Sequence, residues 1–516
     1  MSKFIIEISR YVILAFMAAF TLTAFAALKT KDPAVRKGRL AALMVFNIFF
    51  NIICFAILYF FTFNIDVLVI FGLLILYMVI SAILYNVLYP TSSLLLVYLM
   101  NMILSVGMVM QTRLGVETAL KQLIIACIAM VVSLIIPVII RKGRRLPDMG
   151  IFFAVLGILL LGAVFAMAAV SRGGRLSIEL FGITFQFSEF VKITFVLCIA
   201  GLLYKSTTFA QVFKVTIIAG IHVIILVVSR DLGAALIYFV AYIVMVVTAT
   251  RKIRYFFVGL GGMAAASAAA YRLFDHVRVR VAVWMNPFAD YTGTGYQIIQ
   301  ALFSICAGGW FGTGLFNGSP TMIPLVKKDF TFAAICEEMG IIFAVCLVLL
   351  CMALYLLIVS IAVRLENTFY KLIALGLGVE YAFQVFLTVG GTTKFIPMTG
   401  VTLPLVSYGG SSLMCTMFML AIIQGLYIIR HDEDPFEEPL PEELEEMEEE
   451  AMIEEMIREE EERARREAMM RQQAKREAMM RQQQRPNGRQ NINEDFFRNT
   501  ELPRNEGDRN GYNNRR

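Results

Sequence analysis

One carboxylate stands at the edge of a long apolar segment. Only Ser229, Arg230 and Asp231 separate the apolar run 213–228 from the apolar run 232–249. An ionisable group at such a place is energetically unfavourable and usually marks a functional site. Asp231 is therefore a candidate general base. An apolar wall would raise its pKa and the charge of Arg230 would lower it, and the sequence leaves that balance open.

The segment 273–331 is long, and it is rich in arginine, aromatic residues and glycine. Its motifs are Arg278-Val-Arg280, Trp284-Met-Asn286-Pro287, Asp290-Tyr-Thr-Gly-Thr-Gly295-Tyr296-Gln297 and Gly308-Gly-Trp-Phe-Gly312-Thr-Gly314. Arginine supplies forked donors for phosphate, and glycine lets the backbone approach a ligand closely. Loops longer than about 15 residues are usually functional or disordered. We expect an ordered segment that binds an anion, with a structural re-entrant cap as the alternative.

Other charged groups lie beside the apolar runs or inside them. Glu189 and Lys192 stand three residues apart, so on a helix they either pair with each other or face a ligand. Glu380 is deep in an apolar run, where such an acid is usually paired with a basic group. The other polar candidates are Arg175, Gln186, Ser188, Glu337, Glu338 and Lys394. Together these residues predict a cavity, lined by cations and holding one acid, that suits a lipid-linked phosphate.

The composition is that of an integral membrane protein. Hydrophobic residues make up 58% of the 516 residues, above the roughly 45–50% of soluble domains. Of the 40 acidic residues, 25 follow Arg430, so the net charge of +6 averages two unlike regions. No folded basic module is visible, which argues against nucleic acid as a partner. The eight cysteines and three histidines show no metal-site spacing or disulfide framework, so no cofactor is predicted and a divalent cation is left open.

Thirteen apolar runs are long enough to span a bilayer, which takes about 17–25 residues. They lie near residues 7–27, 40–63, 66–86, 94–111, 122–140, 149–170, 189–204, 213–229, 232–249, 255–272, 332–362, 369–390 and 408–429. With this count, the basic loops 29–39, 141–145, 205–214 and 251–254 all fall on one side, which should be cytoplasmic. The N-terminus, Asp231 and the loops 171–188, 273–331 and 391–407 are then outside. We interpret the first run as a retained span rather than a signal peptide.

The last part of the chain has a different character. Residues 432–462 are mostly acidic and residues 463–485 are basic. Helix-forming residues dominate 441–485, and 486–516 should be disordered. This cytoplasmic tail is either a solvated charged helix or a docking arm for a cytoplasmic partner.

Five motifs in order resemble the SEDS family (shape, elongation, division and sporulation), which includes FtsW and RodA. Ser229-Arg-Asp231-Leu-Gly-Ala-Ala-Leu resembles the family's Q-P-D-L-G-T-A-L, and Gln186-Phe-Ser-Glu189-Phe-Val-Lys192 its Q-P-S-E-x-x-K. The glycine motifs of 286–314, the segment Asp329-Phe-Thr-Phe to Gly340, and Pro397-Met-Thr-Gly400 to Ser412 are similar to three further signatures. The resemblance covers about residues 94–430.

The resemblance implies an all-α polytopic membrane protein with a ten-helix core at 91–430. Three extra helices would occupy 1–90, and the charged tail would occupy 431–516. It also implies a peptidoglycan glycosyltransferase that polymerises lipid II beside a class B penicillin-binding protein, with Asp231 as the catalytic base. The candidate substrate-binding residues are Arg175, Glu189, Lys192, Arg230, Arg278, Arg280, Gln297, Asp329, Glu337, Lys394 and Ser407. The resemblance does not distinguish division, elongation and sporulation.

The chain departs from the family pattern at several positions. Arg230 and Phe187 replace prolines, and Lys327 and Lys328 stand in the family's P-E-x-H-T-D-F segment. These changes bear on phosphate binding and leave Asp231 in place. Two other functions stay open: a lipid II flippase, favoured by Glu380 and Lys394, and a non-catalytic activator of a penicillin-binding protein.

Overall fold

The chain folds into long helices joined mostly by short connections. The computed structural model describes residues 2–30, 32–143, 145–170, 178–180, 183–433 and the single positions 456, 458, 463, 465, 469, 470 and 476. The helices are α1 (Ser2–Lys29), α2 (Pro33–Thr62), α3 (Ile65–Leu88), α4 (Leu94–Leu114), α5 (Val116–Ser133), α6 (Ile136–Lys142), α7 (Gly150–Val170), α8 (Phe187–Lys205), α9 (Phe209–Val228), α10 (Leu232–Thr250), α11 (Arg254–Leu273), α12 (Asp275–Met285), α13 (Tyr296–Gly308), α14 (Thr331–Met339), α15 (Ile341–Arg364), α16 (Thr368–Thr392) and α17 (Gly410–Glu433). Two strands, β1 (Ile178–Leu180) and β2 (Ile183–Phe185), pair antiparallel just before α8.

The predicted all-α membrane fold is confirmed. Within the described residues, thirteen helices are long and apolar enough to cross a membrane. Residues Met1–Pro435 form one compact unit and residues Phe436–Arg516 a second. Most of the tail, including all but those single positions of the predicted helix 441–485, lies outside the described residues.

The predicted span 332–362 is wrong at its beginning. The structure divides it at Gly340 into the short helix α14 and the spanning helix α15. Gly340 has a φ of +90°, and a Cβ there would lie 2.4 Å from the backbone nitrogen of Gly312. Glycine therefore permits both the turn and the close approach of two backbones. Glu337 and Glu338 consequently belong to α14 and not to a spanning helix.

The helices that carry the charged candidates meet in the interior of the bundle. Helix α8 packs against α7, α10, α16 and α17, and α16 also packs against α10 and α15. Helices α4, α8, α16 and α17 are the most buried spans, whereas no residue of α11 is buried. The start of α8, the start of α10 and the start of α17 are thereby brought together.

The N-terminal helices are packed onto the remainder of the bundle. Helix α1 packs against α2 and α15, and α2 packs against α3 and α4. Asp32 begins α2 by accepting hydrogen bonds from the backbone of Ala34 and Val35, with Pro33 in the first turn. A capping carboxylate and a first-turn proline are favourable at a helix N-terminus, so the α1–α2 hairpin has a defined turn.

Candidate functional site

A polar cavity of about 140 Å³ lies where α8, α10 and α17 begin. It is also bordered by the segment before α14 and by the segment between α16 and α17. Its polar and charged lining residues are Gln186, Glu189, Lys192, Asp231, Lys328, Thr402, Tyr408, Ser411 and Ser412. The cavity therefore combines two acids with two lysines, as a site for a charged ligand would.

Asp231 is held in this cavity by its position at the N-terminus of α10. Its Oδ1 accepts a hydrogen bond of 3.1 Å from the Ala234 backbone, which caps the helix. Its Oδ2 accepts hydrogen bonds from Ser188 Oγ at 2.9 Å and from Gln186 Nε2 at 3.1 Å. A carboxylate in this position satisfies free backbone N–H groups of the helix and is favoured by the helix dipole.

The preceding turn has a backbone that proline could not adopt. Arg230 has a φ of +63°, whereas the proline ring fixes φ near −65°. The Arg230 N–H bonds the carbonyl of Val227 at 3.0 Å, and the Asp231 N–H bonds that of Leu226 at 2.9 Å. The replacement of the family's proline by Arg230 thus gives the turn a geometry of its own.

The pKa of Asp231 is raised above its ordinary value, and burial is the largest cause. The hydrogen bonds from Ala234, Ser188 and Gln186 act in the opposite direction, and Glu189 raises the pKa further. Of the effects on the pKa of Asp231 that the sequence left open, burial in low-polarity surroundings is therefore the largest. A raised pKa makes a carboxylate a stronger base once it is ionised.

Lys192 connects the cavity to the interior of the bundle. Its Nζ lies 2.6 Å from Glu189 Oε2 and donates a hydrogen bond of 2.7 Å to Gln384 Oε1. The amide of Gln384 in turn donates to the Thr402 carbonyl and to Ser412 Oγ. Glu189 and Lys192 therefore pair with each other and also line the cavity. Pairing does not exclude contact with a ligand in that cavity.

Glu380 lies one helical turn from Gln384 on α16 and is fully buried. Neither of its carboxyl oxygens has a hydrogen-bond partner among the described residues. It interacts electrostatically with Lys192 and with Glu189. The expected basic partner of Glu380 is therefore Lys192, through space rather than through a hydrogen bond.

Arg280 approaches the cavity from α12. It donates hydrogen bonds to the carbonyls of Met398 and Thr399 at 3.2 and 3.0 Å. It interacts electrostatically with both Asp231 and Asp329, which oppose the lowering of its pKa by burial. Burial raises the pKa of Asp329, and Lys328 and Arg280 oppose that shift. The two carboxylates thus share one guanidinium beside the cavity.

The structure does not bring all the predicted residues into the cavity. Arg278 pairs with Asp275 at an exposed position, and the Glu337 carboxylate accepts a hydrogen bond from the Ser319 backbone. The Lys394 carbonyl accepts one from Trp284, and Ser407 Oγ accepts one from the Leu403 backbone. Among the described residues, the predicted ones that are not part of the lining are Arg230, Arg278, Arg280, Gln297, Asp329, Glu337, Lys394 and Ser407. Arg175 lies outside the described residues.

Several lining residues are missing from the predicted set. They are Lys328, Thr402, Tyr408, Ser411 and Ser412, which face the cavity together with the predicted polar candidate Gln186. The motif at 407–412 and the two lysines at 327–328 were visible in the sequence, but nothing in their spacing relates them to Asp231. Their relation depends on tertiary contacts, such as the 2.7 Å hydrogen bond from the Tyr408 N–H to the Lys327 carbonyl.

The fold and the cavity define a polytopic helical membrane protein with a charged site at one end of its bundle. The family model of the cell cycle proteins FtsW, RodA and SpoVE matches residues 80–432. The chain belongs to this family, which confirms the resemblance. The three helices that precede the matched region are α1, α2 and most of α3.

Two relatives and two solved structures illustrate the similarity. The chain is 35% identical over 318 residues to the peptidoglycan glycosyltransferase RodA of Mycobacterium tuberculosis, which covers 58% of this chain and 67% of that protein. It is 27% identical over 351 residues to the probable peptidoglycan glycosyltransferase FtsW of Francisella salina, covering 64% and 87%. A chain of a peptidoglycan synthase complex matches with a TM-score of 0.56 and 26% identity, covering 66% of this chain and 98% of that chain. The Thermus thermophilus RodA crystal structure shares the fold, with a TM-score of 0.51, 23% identity and the same coverage.

Proposed function

We propose that this protein is a peptidoglycan glycosyltransferase that polymerises lipid II in a bacterial membrane. The observation that carries the proposal is the position of Asp231 in a cavity that also contains Lys192 and Lys328. The cavity offers a base and cations in one place, as a transfer between lipid-linked sugars requires. The relatives named as peptidoglycan glycosyltransferases support the same reaction.

Asp231 acts as the general base in this proposal. It takes the proton from the 4-hydroxyl of the acceptor sugar, and that oxygen attacks the anomeric carbon of the growing chain. A new glycosidic bond forms as the bond from the anomeric carbon to the diphosphate oxygen breaks, and undecaprenyl diphosphate leaves with its electron pair. The hydrogen bonds from Ser188 and Gln186 orient the carboxylate toward the acceptor.

Cations stabilise the charge that develops on the leaving diphosphate. Lys328 lines the cavity and Arg280 lies beside both Asp231 and Asp329. Lys192 also lines the cavity and is held by Glu189 and Gln384. We assign Lys328 and Arg280 to the diphosphate and Lys192 to the placement of Glu189.

We place the cavity on the outer face of the membrane, with the N-terminus outside and the tail inside. The four basic loops at 29–39, 141–145, 205–214 and 251–254 support this orientation. A class B penicillin-binding protein is the proposed partner, because the similar peptidoglycan synthase complex is described as coordinating polymerization and crosslinking.

A lipid II flippase is the second candidate. The buried Glu380 beside Lys192 favours it, since intramembrane charges often mark transport pathways. The polymerase and the flippase hypotheses are distinguished by an assay with labelled lipid II. The purified protein and a penicillin-binding partner are incubated with it in detergent and in liposomes. We expect glycan strands in both; translocation of labelled lipid without strands would establish the flippase and overturn the polymerase.

A further inference from the structure

The first helix makes direct contacts with the glycine-rich segment 309–318. Arg10 Nη1 donates a hydrogen bond of 3.1 Å to the Gly312 carbonyl, and the rings of Tyr11 and Phe311 are 5.4 Å apart. A Cβ at Gly314 would lie 2.2 Å from Ile6 Cγ2, so the backbone of the segment lies directly against α1. These three contacts are made by residues that precede the region matched by the family model.

The second helix and the fourth hold the same segment from another side. The ring of Phe61 stacks on that of Phe316 at 5.6 Å, and the Arg113 guanidinium lies 4.1 Å from the Phe316 ring centre. Arg113 also pairs with the buried Glu338 at 2.9 Å and donates to the Gly318 carbonyl. The segment is therefore fixed at both of its ends.

The segment is joined in turn to α14 through backbone hydrogen bonds. The N–H groups of Thr313 and Gly314 each donate a bond of 2.9 Å, to the carbonyls of Glu337 and Glu338 respectively. Gly308 packs so closely on α14 that a Cβ there would lie 1.9 Å from the Cys336 carbonyl oxygen. The segment and the C-terminal end of α14 are therefore closely packed and hydrogen-bonded to each other.

The segment that leads into α14 borders the cavity through Lys328. The helix begins at Thr331, three residues after Lys328, and Lys328 lines the cavity with Asp231. The Lys327 carbonyl accepts a bond of 2.7 Å from the N–H of Tyr408, another lining residue. A displacement of the segment 309–318 would thus move the wall that carries Lys328.

We propose that the α1–α2 hairpin positions this wall of the cavity, with Arg10 as a positioning residue that acts through Gly312 and α14. This inference rests on the proposed function for its activity assay. We call the contact of Arg10 with Gly312 the brace. Without it, the wall that carries Lys328 takes its binding-competent position in only a fraction of molecules. The apparent affinity for the lipid-linked substrate then falls by that fraction, while the rate at saturation is preserved.

The test compares the full-length variants Arg10→Ala, Arg10→Lys and Lys37→Ala with the unmodified protein. Lys37 is an exposed cation at the other end of the same hairpin. Its replacement by alanine also removes one positive charge and is therefore the matched control. We expect Arg10→Ala to raise the KM for lipid II roughly three- to tenfold with kcat changed less than about twofold. Arg10→Lys should restore part of the loss, because it keeps a cationic donor, and Lys37→Ala should have no effect.

Hydrogen exchange supplies a readout that is independent of activity. We expect the amides of Thr313 and Gly314 to exchange faster in Arg10→Ala, with α8 and α16 unchanged as evidence of an intact fold. Unchanged exchange at both amides, or an unchanged KM, would overturn the brace. Polymerisation by the unmodified protein is measured alongside, so that failure of the brace is distinguished from failure of the proposed function.

Discussion

Ser188 Oγ donates a hydrogen bond of 2.9 Å to Asp231 Oδ2. The Ser188 carbonyl also accepts a bond of 2.7 Å from Tyr238, which lies on α10, the helix that Asp231 caps. Ser188 thereby fixes the first turn of α8 against the first turns of α10. The position of the carboxylate depends on the packing of these two helices as much as on its own turn.

Removing the Ser188 hydroxyl should shift the pH dependence of the reaction. The hydrogen bond from Ser188 lowers the pKa of Asp231, opposing the increase caused by burial. A general base is active only when it is ionised, so polymerisation should rise with pH through the pKa of Asp231. In Ser188→Ala the acidic limb of kcat/KM should move to higher pH, and at low pH the variant should lose more activity than at high pH. A limb that stays in place or moves to lower pH would contradict this role; Ser206→Ala, at the other end of α8, is the control.

The Glu189–Lys192 pair should be sensitive to removal of either partner alone. The Lys192 side chain is 2% exposed and that of Glu189 13% exposed, so a single change leaves an unpaired charge in a poorly hydrated place. Lys192→Met should lower the free energy of unfolding by about 3 kcal/mol. The double variant Glu189→Gln, Lys192→Met should recover part of it, because the buried Glu380 still lacks its cation. Thermal unfolding of the purified variants measures this double-mutant cycle. Strictly additive effects would show that the pair is not coupled.

Lys328 should affect substrate binding and Lys327 should not. Lys328 lines the cavity, whereas the Lys327 ammonium is packed against Gly115. A charge-assisted contact contributes about 1.5–3 kcal/mol, so Lys328→Gln should raise the KM for lipid II by about tenfold or more. Lys327→Gln, which removes the same charge from the neighbouring residue, should change KM less than about twofold. The reverse order of effects would remove Lys328 from the diphosphate assignment.

The proposed orientation can be tested with a native thiol. Of the eight free cysteines only Cys306, on α13, is exposed. A membrane-impermeant maleimide added to intact spheroplasts should label Cys306, and a Cys306→Ser variant should lose that label. A cysteine placed at Lys205, in a basic loop, should be labelled only after the membrane is opened. If the Lys205→Cys site is labelled in intact spheroplasts and Cys306 is not, the orientation is the opposite of the one proposed.

The sequence predicts the spans well because length and hydropathy determine them directly. It fails at Gly340, because the apolar run continues across the turn and only the approach of Gly312 shows why the helix is interrupted. Helical spacing indicates that Glu189 and Lys192 either pair or face a ligand, and the pair is one of these two alternatives. The places of Lys328, Tyr408 and the α1–α2 hairpin depend on contacts between residues far apart in the chain, which periodicity does not encode.

The most direct test of the account is polymerisation of lipid II by Asp231→Asn in complex with the penicillin-binding partner. Asparagine keeps the size of the side chain and an oxygen that can accept the Ser188 hydrogen bond, but it is not a base at neutral pH. Asp275→Asn, which removes an exposed carboxylate that pairs with Arg278, is the matched control. We expect glycan strands from the unmodified protein and from Asp275→Asn, and a loss of at least about a hundredfold in Asp231→Asn. Strand synthesis by folded Asp231→Asn at the unmodified rate would contradict the central claim.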